Sequence, residues 1–272
     1  MALVAQLSDP HLRDDGADPF HDPAEALLLA FTQIATMDAK PDAIVLTGDI
    51  IDRSAKGYAH ALPLLRQAPV PLWPMPGNHD DPAGFRIAFD GWADFASDHL
   101  SYIAQIDDVQ LIALDSTLPN GCPGVDWSRL NWLEGIIGHS QRPSLLALHH
   151  PPFATGAPHL DNPGFQNADA LLHLVKGSQV CRVIAGHSHR AIQTIWGGCL
   201  SSTASAIGHG LSLSLCGTQR HKPVQMAPAF DLHAIGPEDL VSHQITLGPE
   251  SEETAPIRSA YQGNDRQVVS EG

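Results

Sequence analysis

Five short clusters along the chain carry side chains of the kind that bind divalent metal ions. They are Asp9-x-His11, Gly48-Asp49, Gly77-Asn78-His79-Asp80, His149-His150 and Gly186-His187-Ser188-His189. Each cluster alone is a weak signal, because short runs of Asp and His occur by chance in most enzymes. Together they are a strong one, since carboxylate, imidazole and amide donors without thiolate suit Mn, Fe, Co, Ni or Zn. A pair of such ions requires one carboxylate that bridges them and further ligands on each side.

Each of these clusters directly follows a short apolar run. The runs are "ALVAQL", "AIVLT", "VPLWPMP", "SLLAL" and "CRVIA", and a sixth, "VQLIAL", leads into Asp115-Ser116. Apolar runs of this length, bounded by Gly, Pro and Asp, are typical of strands that are covered on both faces. The pattern therefore predicts a layered α/β fold with the functional side chains at the carboxyl ends of its strands.

Helical segments are predicted between these strands. Asp22-Pro23 has the residue types of a helix start, Ser54 is a candidate N-cap for a second helix, and Pro63 should kink or shorten that helix. Apolar residues at helical spacing predict two further helices, over residues 126–137 and 167–176. Trp73, Trp127 and Trp132 are expected to pack in the core.

The carboxyl-terminal part has a different pattern of apolar and polar residues. After residue 191 the apolar residues alternate with polar ones, which favours strands, and residues 205–245 are interpreted as a hairpin and loop region that shapes the site or an oligomer contact. Residues 249–272 contain few large apolar side chains and are predicted to be a mobile tail. The predicted organisation is a catalytic domain over residues 1–248 followed by this tail.

Composition limits the classes of partner. The chain has 272 residues and a net charge of −15 with only 15 Lys and Arg, so a basic groove for a nucleic-acid polymer is not expected. No apolar stretch approaches the roughly 20 residues of a membrane span, and the amino terminus lacks an export signal. The four cysteines form no CxxC pair, which favours free thiols in a reducing compartment. A soluble, cytoplasmic protein is expected.

The order and spelling of the five clusters resemble the calcineurin-like metallophosphoesterase superfamily. The resemblance is narrowest to the branch of class III cyclic-nucleotide phosphodiesterases and glycerophosphodiester phosphodiesterases, and it covers about residues 3–250, with "LDSTLPNG", "NWLEGII" and "STASAIGHG" among the matching text. It implies a four-layer αββα sandwich with a small β-rich carboxyl-terminal extension. It also implies two divalent transition-metal ions (Fe, Mn, Co or Zn) and the hydrolysis of small phosphodiesters.

The resemblance also implies a set of ligands. The first ion would be held by Asp9, His11, Asp49 and His189, and the second by Asp49, Asn78, His149 and His187, with Asp49 bridging. The residues alone leave open whether His149 or His150 is the ligand, and the resemblance favours His149 with His150 behind it. Asp52 and Asp80 are interpreted as residues that orient ligands or cap turns.

Three residues are candidates for direct roles in catalysis. Asn78 is a neutral ligand, so the second ion is expected to be the more labile one. His79, beside Asn78, is expected to contact the phosphoryl group or to donate a proton to the departing alcohol. His209, in "AIGHG", matches a second site histidine of the family. Arg53 and Arg190 are candidate phosphate contacts.

Other functions remain open at this point. A phosphomonoesterase or a nucleotide pyrophosphatase would use the same metal pair, and a protein-binding scaffold is disfavoured because every ligand is present. Cyclic nucleotides and glycerophosphodiesters, such as glycerophosphocholine or glycerophosphoethanolamine, are equally compatible substrates. Relatives in this branch assemble into oligomers, so a homo-oligomer built through the β-rich carboxyl-terminal part is expected.

Overall fold

The structure is a computed structural model that describes residues 1–13, 20–217, 220–236 and 239–248. Its strands are β1 Ala2–Leu7, β2 Ala43–Leu46, β3 Leu72–Pro74, β4 Tyr102–Ile106, β5 Val109–Ala113, β6 Ser144–Ala147, β7 Val180–Ala185, β8 Ile192–Trp196, β9 Cys199–Thr203, β10 Gly210–Leu211, β11 Pro223–Val224, β12 Ala229–Ile235 and β13 Leu240–Thr246. Its helices are α1 Pro23–Thr36, α2 Gly57–Leu65, α3 Pro82–Ala88, α4 Trp127–His139 and α5 Ala168–Val175.

Two large sheets form the centre of the fold. The first has the order β13-β12-β1-β2-β3, and the second has the order β4-β5-β6-β7-β9-β8. Strands β1, β2 and β3 run parallel, as do β5, β6, β7 and β9. The predicted clusters of polar residues therefore leave each parallel set at the same edge, because the carboxyl ends of parallel strands lie together.

The two sheets stack on each other and each carries helices on its outer face. One apolar cluster joins the first sheet to α1, α2 and α3, through residues such as Leu27, Phe31, Leu65 and Phe85. A second cluster fills the space between the sheets, and a third joins the second sheet to α4 and α5. Three apolar interfaces between four layers confirm the predicted αββα sandwich.

The carboxyl-terminal strands complete this architecture. Strands β12 and β13 extend the first sheet, since β12 pairs antiparallel with β1 in a register that opposes Gln6 to Asp231. Strands β10 and β11 form a separate two-stranded hairpin. Residues 249–272, the predicted tail, lie outside the described residues. Among the described residues, no helix combines the length and apolar character that crossing a membrane requires.

Two of the predicted helix starts are correct in detail. The Asp22 carboxylate accepts from the backbone N–H of Ala24 at 2.8 Å, and the Asp126 carboxylate accepts from that of Arg129 at 3.0 Å. Such caps satisfy N–H groups that the first helical turn leaves without partners.

Two local expectations are wrong. Ser54 does not cap α2, because a turn intervenes and the helix begins at Gly57 after Lys56, which makes no side-chain cap. Trp127 is not in the core, since it is 68% exposed at the first position of α4. Its indole lies over the groove between α4 and α5, which covers only part of the ring. Trp73 and Trp132 are half-buried against the apolar clusters, as expected.

Candidate metal centre

The site lies where the loops after β1, β2, β3, β6 and β7 meet. Asp9 and His11 follow β1, and backbone hydrogen bonds tie their loop to the loop after β2, from Asp9 N to Gly48 O at 3.1 Å and from His11 N to Asp49 O at 2.9 Å. Gly186 lies where the loop after β7 packs against Ser8, Asp9 and Thr47 of the first sheet's loops. A Cβ there would lie 2.8 Å from both Asp9 Oδ2 and Thr47 O, so only glycine lets the β7 loop come this near.

The backbone at the site is held in an unusual conformation. Asp9, His11, Asp49, His187 and His189 all have positive φ angles, between 48° and 67°. Non-glycine residues rarely adopt this region, and such strain concentrates at functional sites. Each positive φ turns a side chain sharply away from its strand, which brings five candidate ligands toward one point.

One group of donors consists of Asp9, His11, Asp49 and His189. All their donor atoms lie within 4.8 Å of one another. His11 Nε2 is 3.1 Å from His189 Nε2 and 3.6 Å from Asp49 Oδ2, and His189 Nε2 is 3.5 Å from Asp9 Oδ1. Ligands about 2.1 Å from one ion stand roughly 3.0 to 3.4 Å apart in octahedral or tetrahedral geometry, so these spacings fit a single cation.

A second group surrounds the other side of Asp49. His149 Nε2 lies 3.4 Å from Asp49 Oδ2 and 3.0 Å from Asn78 Oδ1. His150 Nε2 also lies 3.0 Å from Asn78 Oδ1, and His149, His150 and His187 form one cluster of donor atoms. The two groups lie on either side of Asp49, and their nitrogen and oxygen donors are of the kinds that could hold divalent metal ions.

Backbone carbonyls fix which ring nitrogen of His149 and of His189 faces the centre. His149 Nδ1 lies 2.9 Å from the carbonyl oxygen of Thr47, and His189 Nδ1 lies 2.7 Å from that of His209. A carbonyl only accepts, so both Nδ1 atoms carry protons and donate, and the lone pair of a neutral ring is on Nε2. Ligating histidines are commonly oriented in this way.

Burial and the Asp49 carboxylate act in opposite directions on the imidazoles of the site. Burial lowers the pKa of His149, but the Asp49 carboxylate outweighs it and raises that pKa to about 9. Burial lowers the pKa of His11 well below its usual value and that of His187 to about 3, so both rings are neutral and able to ligate.

His79 lies at the edge of the cluster. Its ring centroid is 4.6 Å from that of His11, and its backbone N–H donates to Asp49 Oδ1 at 2.7 Å. His79 Nδ1 lies 2.9 Å from Asp52 Oδ1, while Nε2 lies 3.2 Å from Arg53 Nη2. Asp52 therefore orients the ring through Nδ1, and the Arg53 guanidinium, which can only donate, gives its hydrogen bond to Nε2.

His209 and His150 lie on either side of the cluster. The His209 ring stacks 5.5 Å from that of His11, centroid to centroid. The backbone N–H of His150 donates to Ser116 Oγ at 2.9 Å, which holds the ring behind Asn78. Arg190 donates to the carbonyl of Leu211 at 2.7 Å, so its guanidinium supports the β10 hairpin.

Asp80 holds the loop that carries Asn78. Its buried carboxylate accepts from the backbone N–H groups of Gly77 and Ile50, at 2.9 and 3.1 Å, and from the Tyr58 hydroxyl at 3.0 Å. Burial raises the pKa of Asp80 to about 7. The carboxylate binds the loops after β2 and β3 together, in agreement with the orienting role predicted for it.

Three cavities meet at the cluster. A cavity of about 290 Å³ lies over it and is lined by His11, Asp49, Asn78 and His79. A cavity of about 220 Å³, lined by Phe153 and Phe165, shares Leu160 and His187 with it. A larger cavity of about 560 Å³ is lined by charged side chains, such as Arg86 and Asp98, together with apolar ones, and it shares Asn78.

Sequence reasoning missed several polar residues near the site. Ser8, Thr47 and Gln6 are fully buried and lie in or next to strands that read as apolar. Arg129, in α4, pairs with Asp115 at 2.8 Å inside the fold and lines the larger cavity. Gln6 alone carried a visible signal, because a glutamine interrupts the run "ALVAQL".

The chain is similar to known proteins over most of its length. The chain is 29% identical over 255 residues to a probable glycerophosphodiester phosphodiesterase of Arcobacter nitrofigilis, covering 90% of this chain and 93% of that one. It is 31% identical over 194 residues to a 3',5'-cyclic adenosine monophosphate phosphodiesterase of Pseudomonas aeruginosa, covering 69% of this chain and 70% of that one.

The fold also matches solved structures. A dimetal phosphatase from Danio rerio superposes with a TM-score of 0.67 at 17% identity, over 91% of this chain and 99% of that one, which supports the fold alone. The sequence profile of the calcineurin-like phosphoesterases matches residues 2–191. On this match the chain belongs to the calcineurin-like phosphoesterase family.

Proposed function

We propose that this protein hydrolyses small phosphodiesters with a pair of divalent transition-metal ions. The observation that carries the proposal is the position of Asp49, whose Oδ2 lies 3.6 Å from His11 Nε2 on one side and 3.4 Å from His149 Nε2 on the other. One ion would be held by Asp9, His11, Asp49 and His189. The other would be held by Asp49, Asn78, His149 and His187.

The chemistry divides between the ions and the chain. When bound, the ion pair lowers the pKa of water and neutralises charge on the phosphoryl oxygens. His79 is the proposed proton donor to the departing alcohol, with Asp52 holding its Nδ1. Arg53 donates to Nε2 here, so Nε2 would carry the transferred proton once Arg53 turns to the phosphoryl group. Arg53, beside that nitrogen, is placed to contact a phosphoryl oxygen. His209 lines the opposite wall of the cavity and is proposed to orient the substrate.

His149 is the proposed ligand of the second ion, and His150 is proposed to support it. The contact at 3.4 Å to the bridging carboxylate belongs to His149. His150 reaches Asn78 Oδ1 and Ser116 instead. Asn78 is a neutral ligand shared between two imidazoles, so we propose that this second ion dissociates more readily than the first.

The cavities favour a diester over a monoester. A phosphodiester carries two organic groups on one phosphorus atom, and two further cavities adjoin the space over the cluster, since they share Leu160 and His187, or Asn78, with it. A monoester would leave one of them without substrate. The net charge of −15 also supports a small substrate over a nucleic-acid polymer, which would need a basic surface.

The function is tested with the metal-reconstituted protein. We expect faster turnover of bis(p-nitrophenyl) phosphate than of p-nitrophenyl phosphate, and turnover of at least one member of a panel of cyclic nucleotides and glycerophosphodiesters. Protein stripped with a chelator should be inactive and should recover with Mn²⁺, Co²⁺ or Zn²⁺, because nitrogen and oxygen ligands discriminate weakly among these ions. A preference for the monoester would indicate a phosphomonoesterase, and no turnover with metal bound would indicate a scaffold.

We also propose that the protein is a cytoplasmic homo-oligomer. Strand β13 is an outer strand of the first sheet and exposes Val241, and Leu213 and Leu215 are exposed in the segment that connects β10 to β11. Unpaired sheet edges and exposed apolar side chains are common at contacts between copies. The free thiols of Cys122, Cys181 and Cys199 suit a reducing compartment. Light scattering should give a multiple of 29.1 kDa, and a monomer mass would contradict the assembly.

A further inference from the structure

A line of buried polar side chains runs between the two sheets and ends at Asp9. It starts at the half-buried Ser242 of β13 and passes through four fully buried residues, which are His233, Gln6, Thr47 and Ser8. None of these residues belongs to the proposed ligand set. The neighbouring residues of these strands form an apolar core, so this line of polar side chains is unusual there.

Consecutive hydrogen bonds join these residues. Ser242 Oγ is 2.8 Å from His233 Nδ1, and His233 Nε2 is 3.0 Å from Gln6 Oε1. Gln6 Nε2 then donates to Thr47 Oγ1 at 3.1 Å. The Thr47 hydroxyl donates to Ser8 Oγ at 2.7 Å, and the Ser8 hydroxyl donates to Asp9 Oδ2 at 2.5 Å.

The surroundings set the direction of the bonds made by Gln6 and His233. Gln6 Nε2 also donates to the carbonyl of Ala185 at 2.8 Å, which sets the orientation of the amide and leaves Oε1 to accept from His233. Burial and the nearby Arg182 guanidinium lower the pKa of His233 to about 3, so its ring is neutral, with the proton on Nε2. Each hydroxyl has a second acceptor at a longer distance, Leu7 O at 3.3 Å for Thr47 and Thr47 O at 3.4 Å for Ser8. With both hydroxyl protons in the shorter bonds, every donor in the line points toward Asp9.

The far end of the line acts on one carboxylate oxygen. Asp9 Oδ2 accepts from the Ser8 hydroxyl, and the backbone N–H of His187 is shared between Oδ2 at 3.0 Å and Oδ1 at 3.2 Å. Oδ1 lies 3.5 Å from His189 Nε2. Occupation of Oδ2 prevents the carboxylate from rotating about its axis. Hydrogen bonds that point the same way polarise one another, so each donor strengthens the next.

We propose that Gln6, Thr47 and Ser8, with His233 behind them, are positioning residues that hold Asp9 in the orientation that binds the first metal ion. The proposal rests on the metal centre proposed above. It differs from a purely structural role, in which the same bonds would only satisfy buried polar groups. In that case their loss would lower the stability of the apoprotein without a selective effect on one ion.

The proposal is tested by titrating Mn²⁺ into apoprotein by calorimetry. Wild type is expected to bind two ions. Thr47→Val removes one hydroxyl at nearly constant volume. It should lower the affinity for one of the two ions by about tenfold, which is the effect typical of losing a residue that orients a metal ligand. Thr47→Ser, which keeps the hydroxyl, should bind as wild type does. Ser8→Ala should weaken the same ion and serves as the second variant if Thr47→Val does not fold.

A matched control removes a buried hydroxyl outside the line. Ser201, in β9, is fully buried and bonds only to nearby carbonyls and to Cys199 among the contacts described. Ser201→Ala should leave both binding constants unchanged, and thermal melting of each apoprotein reports stability separately. Equal weakening in Ser201→Ala, or failure of Thr47→Ser to restore binding, would overturn the proposal.

A variant of His233 tests the line most directly, because this residue is separated from Asp9 by four hydrogen bonds and cannot contact it. His233→Leu removes the donor to Gln6 and should weaken the same ion by about threefold through loss of polarisation along the line. His233→Gln offers an N–H at a similar distance and should restore binding. If Thr47→Val and Ser8→Ala bind two ions as tightly as wild type does, the positioning proposal is overturned while the metal centre stands. If wild type itself binds fewer than two ions, the proposed metal centre is overturned as well.

Discussion

Replacing Asp49 with asparagine is expected to lower turnover of bis(p-nitrophenyl) phosphate by about a thousandfold, because a metal ion contributes several kcal/mol to the transition state and about 1.4 kcal/mol is a factor of ten. The Asp49 carboxylate is buried between the two groups of donors. Asparagine keeps the size of the side chain but removes the charge that two cations share. Steady-state rates measured at saturating Mn²⁺, with metal content determined on the same sample, check the prediction.

The control for this variant is Asp108→Asn, in the exposed turn between β4 and β5. It removes the same charge from the protein far from the site and should keep wild-type activity. An Asp49→Asn protein that binds two ions and keeps activity within tenfold of wild type would contradict the bridging role. Loss of one ion together with activity would agree with it.

Replacing His79 with alanine is expected to lower kcat by an amount that depends on the leaving group of the substrate. Proton donation by a positioned side chain contributes about 10²- to 10⁴-fold, so hydrolysis of the better physiological diester, which releases an alkoxide, should fall at least about a hundredfold. Hydrolysis of bis(p-nitrophenyl) phosphate should change only severalfold, because p-nitrophenolate departs without a proton. The measurement is kcat on both substrates for the same metal-loaded preparation.

His60→Ala, on the exposed face of α2, is the matched control and should be active on both substrates. An equal loss on both substrates in His79→Ala would contradict proton donation and indicate contact with the phosphoryl group instead. Asp52→Asn should show a weaker form of the same leaving-group dependence, since Asp52 orients the His79 ring at 2.9 Å.

The positions of the candidate ligands could be predicted from the chain because two regularities coincide. Each cluster follows a strand that is buried on both faces, and parallel strands bring their carboxyl ends together. Asp9, Asp49 and His149 accordingly lie in one place although they are far apart in sequence. The sequence could not reveal that five candidate ligands have positive φ angles, because these angles depend on the loops that cross at the site. The five are Asp9, His11, Asp49, His187 and His189.

Other features depend on packing that periodicity does not encode. Trp127 has the helical spacing of a core residue, yet it lies at the first turn of α4, where the opposing surface covers only part of the ring. The adjoining cavities that favour a diester are formed by loops whose shape is set by neighbouring layers. The hydrogen-bonded line through Gln6 joins strands of the first sheet that are distant in sequence, and a side bond from Gln6 reaches Ala185 in the second sheet, so no local pattern could reveal these partners.

The account depends on two cations that share the Asp49 carboxylate. Diffraction from crystals of the Mn²⁺-loaded protein, with data collected at the manganese absorption edge, measures this directly. The account predicts two anomalous peaks, each at about 2.0 to 2.2 Å from an oxygen of Asp49, one beside Asp9 and His11 and the other beside Asn78 and His149. A single peak, no peak, or two peaks of which only one is bound by Asp49 would contradict it.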